Sequence, residues 1–372
     1  MRIFINALAA RQGGGVTYLN QFLQVVRQRA DLEVYIFGFG LIDSKLLESK
    51  NIQVIPVKWA QKNLLTRFIA EKFYFPFWLW RHKIDIAFFP SGMVSGYVPR
   101  DIPAVTMFRN MLPFDHALVQ KYPLAQRLRL KILFNLYRKS YQTADCVIFI
   151  SHYAREVVKR YIPAIENRSC VIPHGVAESF RGENKLPVEG YILYVSVFYH
   201  YKHQVEVVKG LALFRKQFGY APKLKLVGYL APYAEQVRQV IAEEHLEDCV
   251  DIVGPLSYAE QPEYYKKAKL VVFASSCENC PNILLEGMAS GRPIICSQTQ
   301  PMPEFLGRHG IYFDPLCPES FCQALAQYVA LSDIEKQTLA DNVYHQSLHY
   351  SWKTTVSNTI EQFYKLRASR SC

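Results

Sequence analysis

The chain has 372 residues, half of them apolar and a fifth charged, with nine scattered cysteines; that is too long for one ordinary core and points to two domains with reduced thiols in a cytoplasmic setting rather than a disulfide framework. No uninterrupted apolar run reaches the roughly 18 residues of a spanning helix, and the opening MRIFINALAARQGGGVTYLN is unlike a secretory leader. The net charge of +11 is uneven, with 25 Lys and Arg against 12 Asp and Glu in residues 1–182 and 18 against 20 in 183–372, so the first half is expected to face phosphate, nucleic acid or an acidic membrane surface.

In chain order, the apolar run Ile3 to Ile5 precedes the triplet Gly13–Gly15 and a helical pattern at Val16, Leu19, Phe22, Leu23 and Val26. This reads as strand, glycine turn and helix. Further strand-like runs fall at Glu33–Phe37, Ile52–Val57, Ile84–Phe89, Ala104–Phe108 and Cys146–Ile150, separated by helix-length segments. The polar stretch Glu178–Glu189 then marks a junction, and a second series follows at Tyr191–Val197, Lys223–Val227, Val250–Val253, Leu270–Ala274 and Pro293–Cys296. After Pro318 the pattern is helical to the end, with a last helix from about Trp352 to Leu366. The alternation predicts an α/β protein of two doubly wound, mostly parallel sheets facing across a cleft. The expected bounds are 1–182, 183–350 and a closing segment 351–372.

Chemistry concentrates in SSCENCPNILLEGMASGRPIIC, Ser275 to Cys296. It reads as a strand end, a loop carrying Glu278, and a short helix with Pro281 at its first position and Glu286 a turn further on. The N–H groups of Asn282, Ile283 and Leu284 at that helix start suit a phosphate. Glu286 suits a pair of vicinal hydroxyls such as those of a ribose, leaving Glu278 to face whatever the diphosphate carries. Cys277 and Cys280 have redox or metal spacing but no second pair, and no Asp-x-Asp or His/Cys cluster is present, so no metal or cofactor is expected. The Gly triplet is not staggered as a dinucleotide fingerprint requires, and the second strand runs into Gly38-Phe39-Gly40 rather than an acid.

Two glutamates with seven residues between them, followed by Gly287-Met288-Ala289 and Gly291-x-Pro293, resemble the donor motif of the family-4 retaining glycosyltransferases. VIPHGV at Val171–Val176, FISHYAREVV at Phe149–Val158, YVSVFYHYKH at Tyr194–His203, Pro303-Glu304 and Phe313-Asp314-Pro315 are similar to further landmarks of that family. The resemblance implies the GT-B fold, two Rossmann-like domains with a C-terminal helix returning to the first. It implies retention of configuration, a nucleoside-diphosphate-sugar donor and no obligatory metal. By position, Lys202 contacts the diphosphate, Glu286 the ribose and Glu278 the donor sugar, with Ser196 at the start of that loop; Gly14 and Gly15 let the backbone approach phosphate or acceptor. Two places depart from the family. Val197 and Phe198 stand where an Arg is common, and Arg109-Asn110 replaces the acceptor-side His-Asp pair, with Asp115 and His116 as nearby alternatives and Arg109 as a phosphate or sugar contact. His174, His200 and His203 are further possible contacts.

Lys121 to Lys139 holds six Lys and Arg and no acid, with Leu128, Ile132, Leu133 and Leu136 at helical spacing. Lys58 to Lys83 gathers Phe73, Tyr74, Phe75, Phe77, Trp78 and Trp80. Both read as contacts with an anionic membrane surface, or, for the aromatics, as a helix packed on the first sheet. The expected protein is therefore a cytoplasmic glycosyltransferase at the inner face of the membrane, using a glycan or lipid-linked acceptor in cell-envelope synthesis, with no nucleic-acid partner. The competing readings are a nucleotide-sugar epimerase of the same fold and a non-catalytic nucleotide-sugar-binding protein.

Overall fold

The structure is a computed structural model that describes residues 1–8, 14–38, 42, 43, 46, 48–55, 57–182 and 185–370. The chain forms two compact units, Met1–His174 with Trp352–Cys372, and Gly175–Ser351. The first unit ends before the expected 182 because the next residues belong to the second: Val176 bridges to Ser351, and Val176 and Phe180 are buried in the second unit's core. None of the helices among the described residues is long and apolar enough to cross a membrane.

The first unit has strands β1 (Arg2–Asn6), β2 (Glu33–Phe37), β3 (Ile52–Ile55), β4 (Ile86–Phe89), β5 (Ala104–Phe108), β6 (Cys146–Phe149) and β7 (Ser169–Val171), all parallel in the order β3-β2-β1-β4-β5-β6-β7. The interiors of these strands are mainly apolar because helices cover both faces, with polar residues mostly at strand ends and on the edge strands β3 and β7. On one face the helix Gly14–Val26 buries Tyr18, Leu19, Phe22, Leu23 and Val26. The last helix, Trp352–Arg370, buries Trp352, Thr355, Val356, Thr359, Ile360 and Phe363, one stripe at helical spacing. Its Phe363 ring lies 5.1 Å from Phe88, so the C-terminal helix does return to the first unit. On the other face, Phe37 sits 4.8 Å from Phe75 and 4.9 Å from Trp78. The aromatic segment thus divides its labour. Phe75, Trp78 and Leu79 are core, whereas Phe73, Phe77 and Trp80 are exposed.

The second unit has β8 (Tyr191–Val195), β9 (Leu224–Val227), β10 (Val250–Gly254), β11 (Ala268–Phe273), β12 (Ile294–Ser297) and β13 (Ile311–Phe313), parallel in the order β10-β9-β8-β11-β12-β13. Strand order reverses beside β1 in the first sheet and beside β8 in the second. At such a reversal the following helices leave to opposite faces, opening a crevice at the carboxyl ends of the two strands. β7 and β13, three residues each, are additions to the strands expected from the sequence.

Candidate functional site

In the second unit the reversal lies between β8 and β11, paired with Tyr191 opposite Ala268 and, after a one-residue register shift between Ala268 and Leu270, Leu193 opposite Val271. The loops leaving their carboxyl ends are therefore neighbours, and they are tied together. Ser276 donates its N–H to the Tyr201 carbonyl at 2.9 Å, and its hydroxyl meets His203 Nε2 at 2.8 Å. His203 takes the left-handed conformation, φ 53°, which turns the chain from a short 3-10 turn, His200–Lys202, into the helix Gln204–Phe218.

That turn presents Lys202 to Glu278. Lys202 Nζ and Glu278 Oε1 form a direct ion pair, with side chains only 9% and 15% exposed. The Lys202 ammonium also stands 5.3 Å from the Tyr201 ring and 5.6 Å from Phe273, where cation–π attraction assists it. The Tyr194 hydroxyl donates to the Lys202 carbonyl from below, fixing the backbone. Shielding two charges this way carries a large desolvation cost, which a stability role does not require.

Glu286 lies on the helix Asn282–Ala289, buried among Leu284, Leu285 and Met288. Burial pushes its carboxyl up to about 8, against a hydrogen bond from Tyr258 that pulls it down. At neutral pH it is largely protonated, able to donate one hydrogen bond and accept others. Tyr258, on the segment after β10, packs at 5.1 Å on Phe180. Nothing local in PLSYAEQ marks it as the partner of a glutamate 28 positions on; only the fold does.

The helix start differs in detail from the sequence reading. Pro281 precedes the first helical residue rather than occupying it, since its ψ of 84° is not helical. The Asn282 N–H is turned onto the Cys280 carbonyl at 3.0 Å, so it is not an anion donor in this conformation. Ile283 and Leu284 belong to the first turn, whose N–H groups have no intrahelical acceptor; the Leu284 side chain is core. Ser196 is buried past the end of β8, its hydroxyl donating to the Val197 carbonyl at 3.2 Å. Gly228 explains the tight seat, because a Cβ there would meet the Ser196 carbonyl oxygen at 1.9 Å. Arg292, in the Gly-Arg-Pro step, is buried and donates to the Lys185 carbonyl at 2.9 Å, a holding role.

The remaining candidates are in the first unit. Gly14 and Gly15 are the first residues of their helix; Gly13, Phe39 and Gly40 lie outside the described residues. Arg109 follows β5 with its guanidinium carbon 5.4 Å from the Tyr18 ring. Asn110 accepts from the Leu112 N–H at 3.2 Å. Asp115 Oδ1 accepts from the Leu118 N–H at 2.9 Å, capping the helix His116–Gln120. His116 is exposed, its ring 5.6 Å from Phe134. His174 is buried against Tyr18 and Trp352. The structure thus unites Lys202 with Glu278 and gives Asn110, Asp115 and His174 local structural contacts.

Comparison with known proteins gives the family and the fold. Residues 176–345 match the model of glycosyl transferases group 1, and residues 12–180 that of glycosyltransferase family 4. The chain is 22% identical over 279 residues to the O-antigen chain mannosyltransferase B of Escherichia coli, covering 72% of each. Its fold is similar to that of a glycosyltransferase from Rickettsia africae, with a TM-score of 0.75 at 16% identity and 98% of both chains covered. It is also similar to Anabaena HepE, solved in complex with UDP, with a TM-score of 0.71 at 16% identity over 98% of this chain and 99% of that one. The two models together account for almost the whole length, and the chain belongs to the group 1, family 4 glycosyltransferases, with the GT-B fold.

Proposed function

We propose that this glycosyltransferase moves a hexose from a nucleoside-diphosphate sugar to a hydroxyl of a glycan or lipid-linked acceptor in cell-envelope polysaccharide synthesis, with retention of configuration. The observation that carries the reading is the shielded Lys202–Glu278 pair at the carboxyl ends of β8 and β11. A diphosphate reaching that crevice competes with Glu278 for the ammonium. Lys202 then stabilises the charge that develops as the sugar–phosphate bond breaks, and Glu278 is released to accept hydrogen bonds from sugar hydroxyls. Glu286 takes the ribose, with Tyr258 holding its carboxyl, and the first-turn N–H groups of Ile283 and Leu284 face phosphate.

In the step itself the bond from the anomeric carbon to the phosphate oxygen breaks, and the acceptor oxygen bonds to the same face. The acceptor's proton passes to the departing phosphate, so no protein base is called for, in keeping with the local structural contacts of Asn110 and Asp115. Lys202 supplies the positive charge that a metal supplies elsewhere. Arg109 serves the first unit's side as a phosphate or sugar contact rather than a proton acceptor. The mannosyltransferase relative and the UDP-bound neighbour support the donor and acceptor classes.

Attachment to the inner leaflet rests on exposed apolar side chains set among Lys and Arg: Phe73, Phe77 and Trp80 in 58–83, and Leu128 and Ile132 in 121–139. The test of the activity is incubation with a panel of nucleotide sugars with and without envelope glycolipid. Acceptor-dependent release of nucleoside diphosphate is expected; conversion of the sugar without an acceptor would mean an epimerase, and binding without turnover a sensor.

A further inference from the structure

Outside the donor crevice, the first unit carries a groove of about 900 Å³, toward the upper end of the size range of ligand pockets. Its walls are the segment around Phe68 and the end of the helix Leu124–Thr143 around Leu136, and its floor is the connection 93–102. The groove is a built feature. The Val94 N–H donates to Ser140 Oγ at 2.7 Å, pinning floor to one wall. Gly96, φ 82°, lies so close to the other that a Cβ would meet the Glu71 carbonyl oxygen at 1.9 Å. It is also long. At one end Ser95 receives a hydrogen bond from Asn6 at the carboxyl end of β1. At the other lies Asp145, which accepts from the Ala104 N–H where β5 and β6 begin. The two ends are thus separated by roughly the length of a strand, about 15 Å.

The lining has two chemistries. Phe68, Tyr97 and Leu136 are 58%, 56% and 48% exposed, apolar surface left in water. Both acids are neutralised, Glu71 by Arg67 at 2.9 Å and Asp145 by Arg370. Lys72, Arg100 and Lys139 have no ion pair among the described residues, so the groove holds surplus positive charge. Apolar walls with unmatched cations complement a long hydrocarbon that carries phosphate. We infer that this groove binds the chain and phosphate of a lipid-linked acceptor, its opening at the carboxyl end of β1 lying where parallel sheets present ligands. The inference rests on the proposed transfer to such an acceptor and names the part of the chain that recognises it.

The test measures binding of octyl and dodecyl phosphate below their micelle concentrations, with dodecanol and inorganic phosphate as controls. Each buried methylene is worth about fourfold in affinity, so dodecyl phosphate should bind at least tenfold tighter than octyl phosphate. Either control should bind at least tenfold more weakly than dodecyl phosphate. Two exposed positions outside the proposed membrane segments give the variants. R100E reverses a charge and T143W obstructs the groove; each should weaken dodecyl phosphate at least tenfold and raise KM for a lipid-phosphate acceptor, leaving acceptor-independent donor hydrolysis unchanged. Binding to phosphatidylglycerol vesicles should survive both. Equal affinity for the two chain lengths, or wild-type binding by both variants, overturns the inference while donor turnover keeps the transferase reading intact. Parallel loss of vesicle binding would reassign the groove to bulk lipid. Self-association abolished by T143W, without alkyl phosphate binding, would reassign it to a second copy. Absence of turnover with any nucleotide sugar would instead remove the reading beneath.

Discussion

The two sheets are wound alike, each reversing its strand order beside its first strand, yet they are equipped differently. The second places a shielded cation and carboxylate at its reversal, with a protonated carboxyl on the next helix. The first carries the whole excess of positive charge and gathers exposed Leu, Phe and Trp in two segments, 65–80 and 124–136, whereas the second unit's exposed apolar residues are spread thinly between Val188 and Leu348, with Phe218 and Tyr220 the one close pair among the described residues. Scattered apolar residues are ordinary on a surface; concentrated ones mark something that covers them. On the proposed reading, one winding serves two recognition problems: a small polar donor needs a few fixed groups in a crevice, and a bulky amphipathic partner needs area and charge.

The largest effect should come from breaking the charged pair. K202A is expected to lower kcat on the order of 10²–10³-fold, the scale of losing one preorganised group at a developing charge. It should also destabilise the second unit, because Glu278 is left without its counter-ion. The double variant K202M/E278Q separates these outcomes. Replacing both charges should recover stability relative to either single change while activity stays lost, measured by denaturant melts and donor turnover on the same preparations. If the double variant were as unstable as the singles, the pair would be a structural element first.

Glu286 gives the next effect, and its sign is fixed by burial. Its folded value of about 8 stands above its ordinary 4.5, so between those pH values the folded chain holds a proton that the unfolded chain has lost. Stability contributed at low pH is then lost as pH rises through the window, by up to about 1.4 kcal/mol per unit. E286Q keeps the shape without the ionisation and should flatten this slope, melting higher than wild type at pH 8 and nearly alike at pH 5. E286A leaves Tyr258 unmatched and should raise the donor KM roughly tenfold or more. Y258F tests the same contact from the other side, with a smaller rise.

How much of this was legible before folding depends on how local each feature is. Strands Glu33–Phe37 and Ala104–Phe108 are read to the residue because buried parallel strands are mainly apolar runs, here Val34–Phe37 behind the exposed Glu33 and Ala104–Phe108 interrupted only by Thr106. β7 and β13 escape because three residues carry no period. The glutamate spacing marks the donor segment, but the meeting of Lys202 with Glu278 spans 76 positions and depends on β8 pairing with β11. Phe75 and Trp78 cannot be told from Phe73 and Phe77 by composition; the π turn Ala70–Tyr74 shifts the helical phase that decides which side faces the core.

The first unit's exposed face is tested by F73E/W80E. Both side chains are about two-thirds exposed, so the fold should be nearly unaffected. Partition onto vesicles rich in anionic lipid is expected to fall about tenfold or more, since two aromatic contacts are lost and two negative charges added. Nucleotide binding should stay as in wild type. Wild-type partition by this variant would leave the aromatic concentration without a partner and move the weight to the basic helix Leu124–Thr143.

The smallest effect is the most discriminating for the first unit's chemistry. Asp115 is the nearest carboxylate in sequence to Arg109-Asn110, which stand where the family keeps a His-Asp pair, so a role as base is the natural rival to the phosphate-assisted displacement. Its geometry points elsewhere: Oδ1 is committed to the Leu118 N–H at the start of a five-residue helix. A cap of this kind is worth about 1 kcal/mol, and Asn preserves it where Ala does not. D115A should therefore cost about 1 kcal/mol of stability and D115N almost none, with kcat within a few-fold of wild type in both. A general base would give the opposite ordering of observables, kcat falling roughly 10²-fold or more in D115N as in D115A, with stability unmoved in the former. The D115N measurement alone separates them, because it removes the charge and the proton-accepting oxygen's basicity while keeping the hydrogen bond that the helix uses.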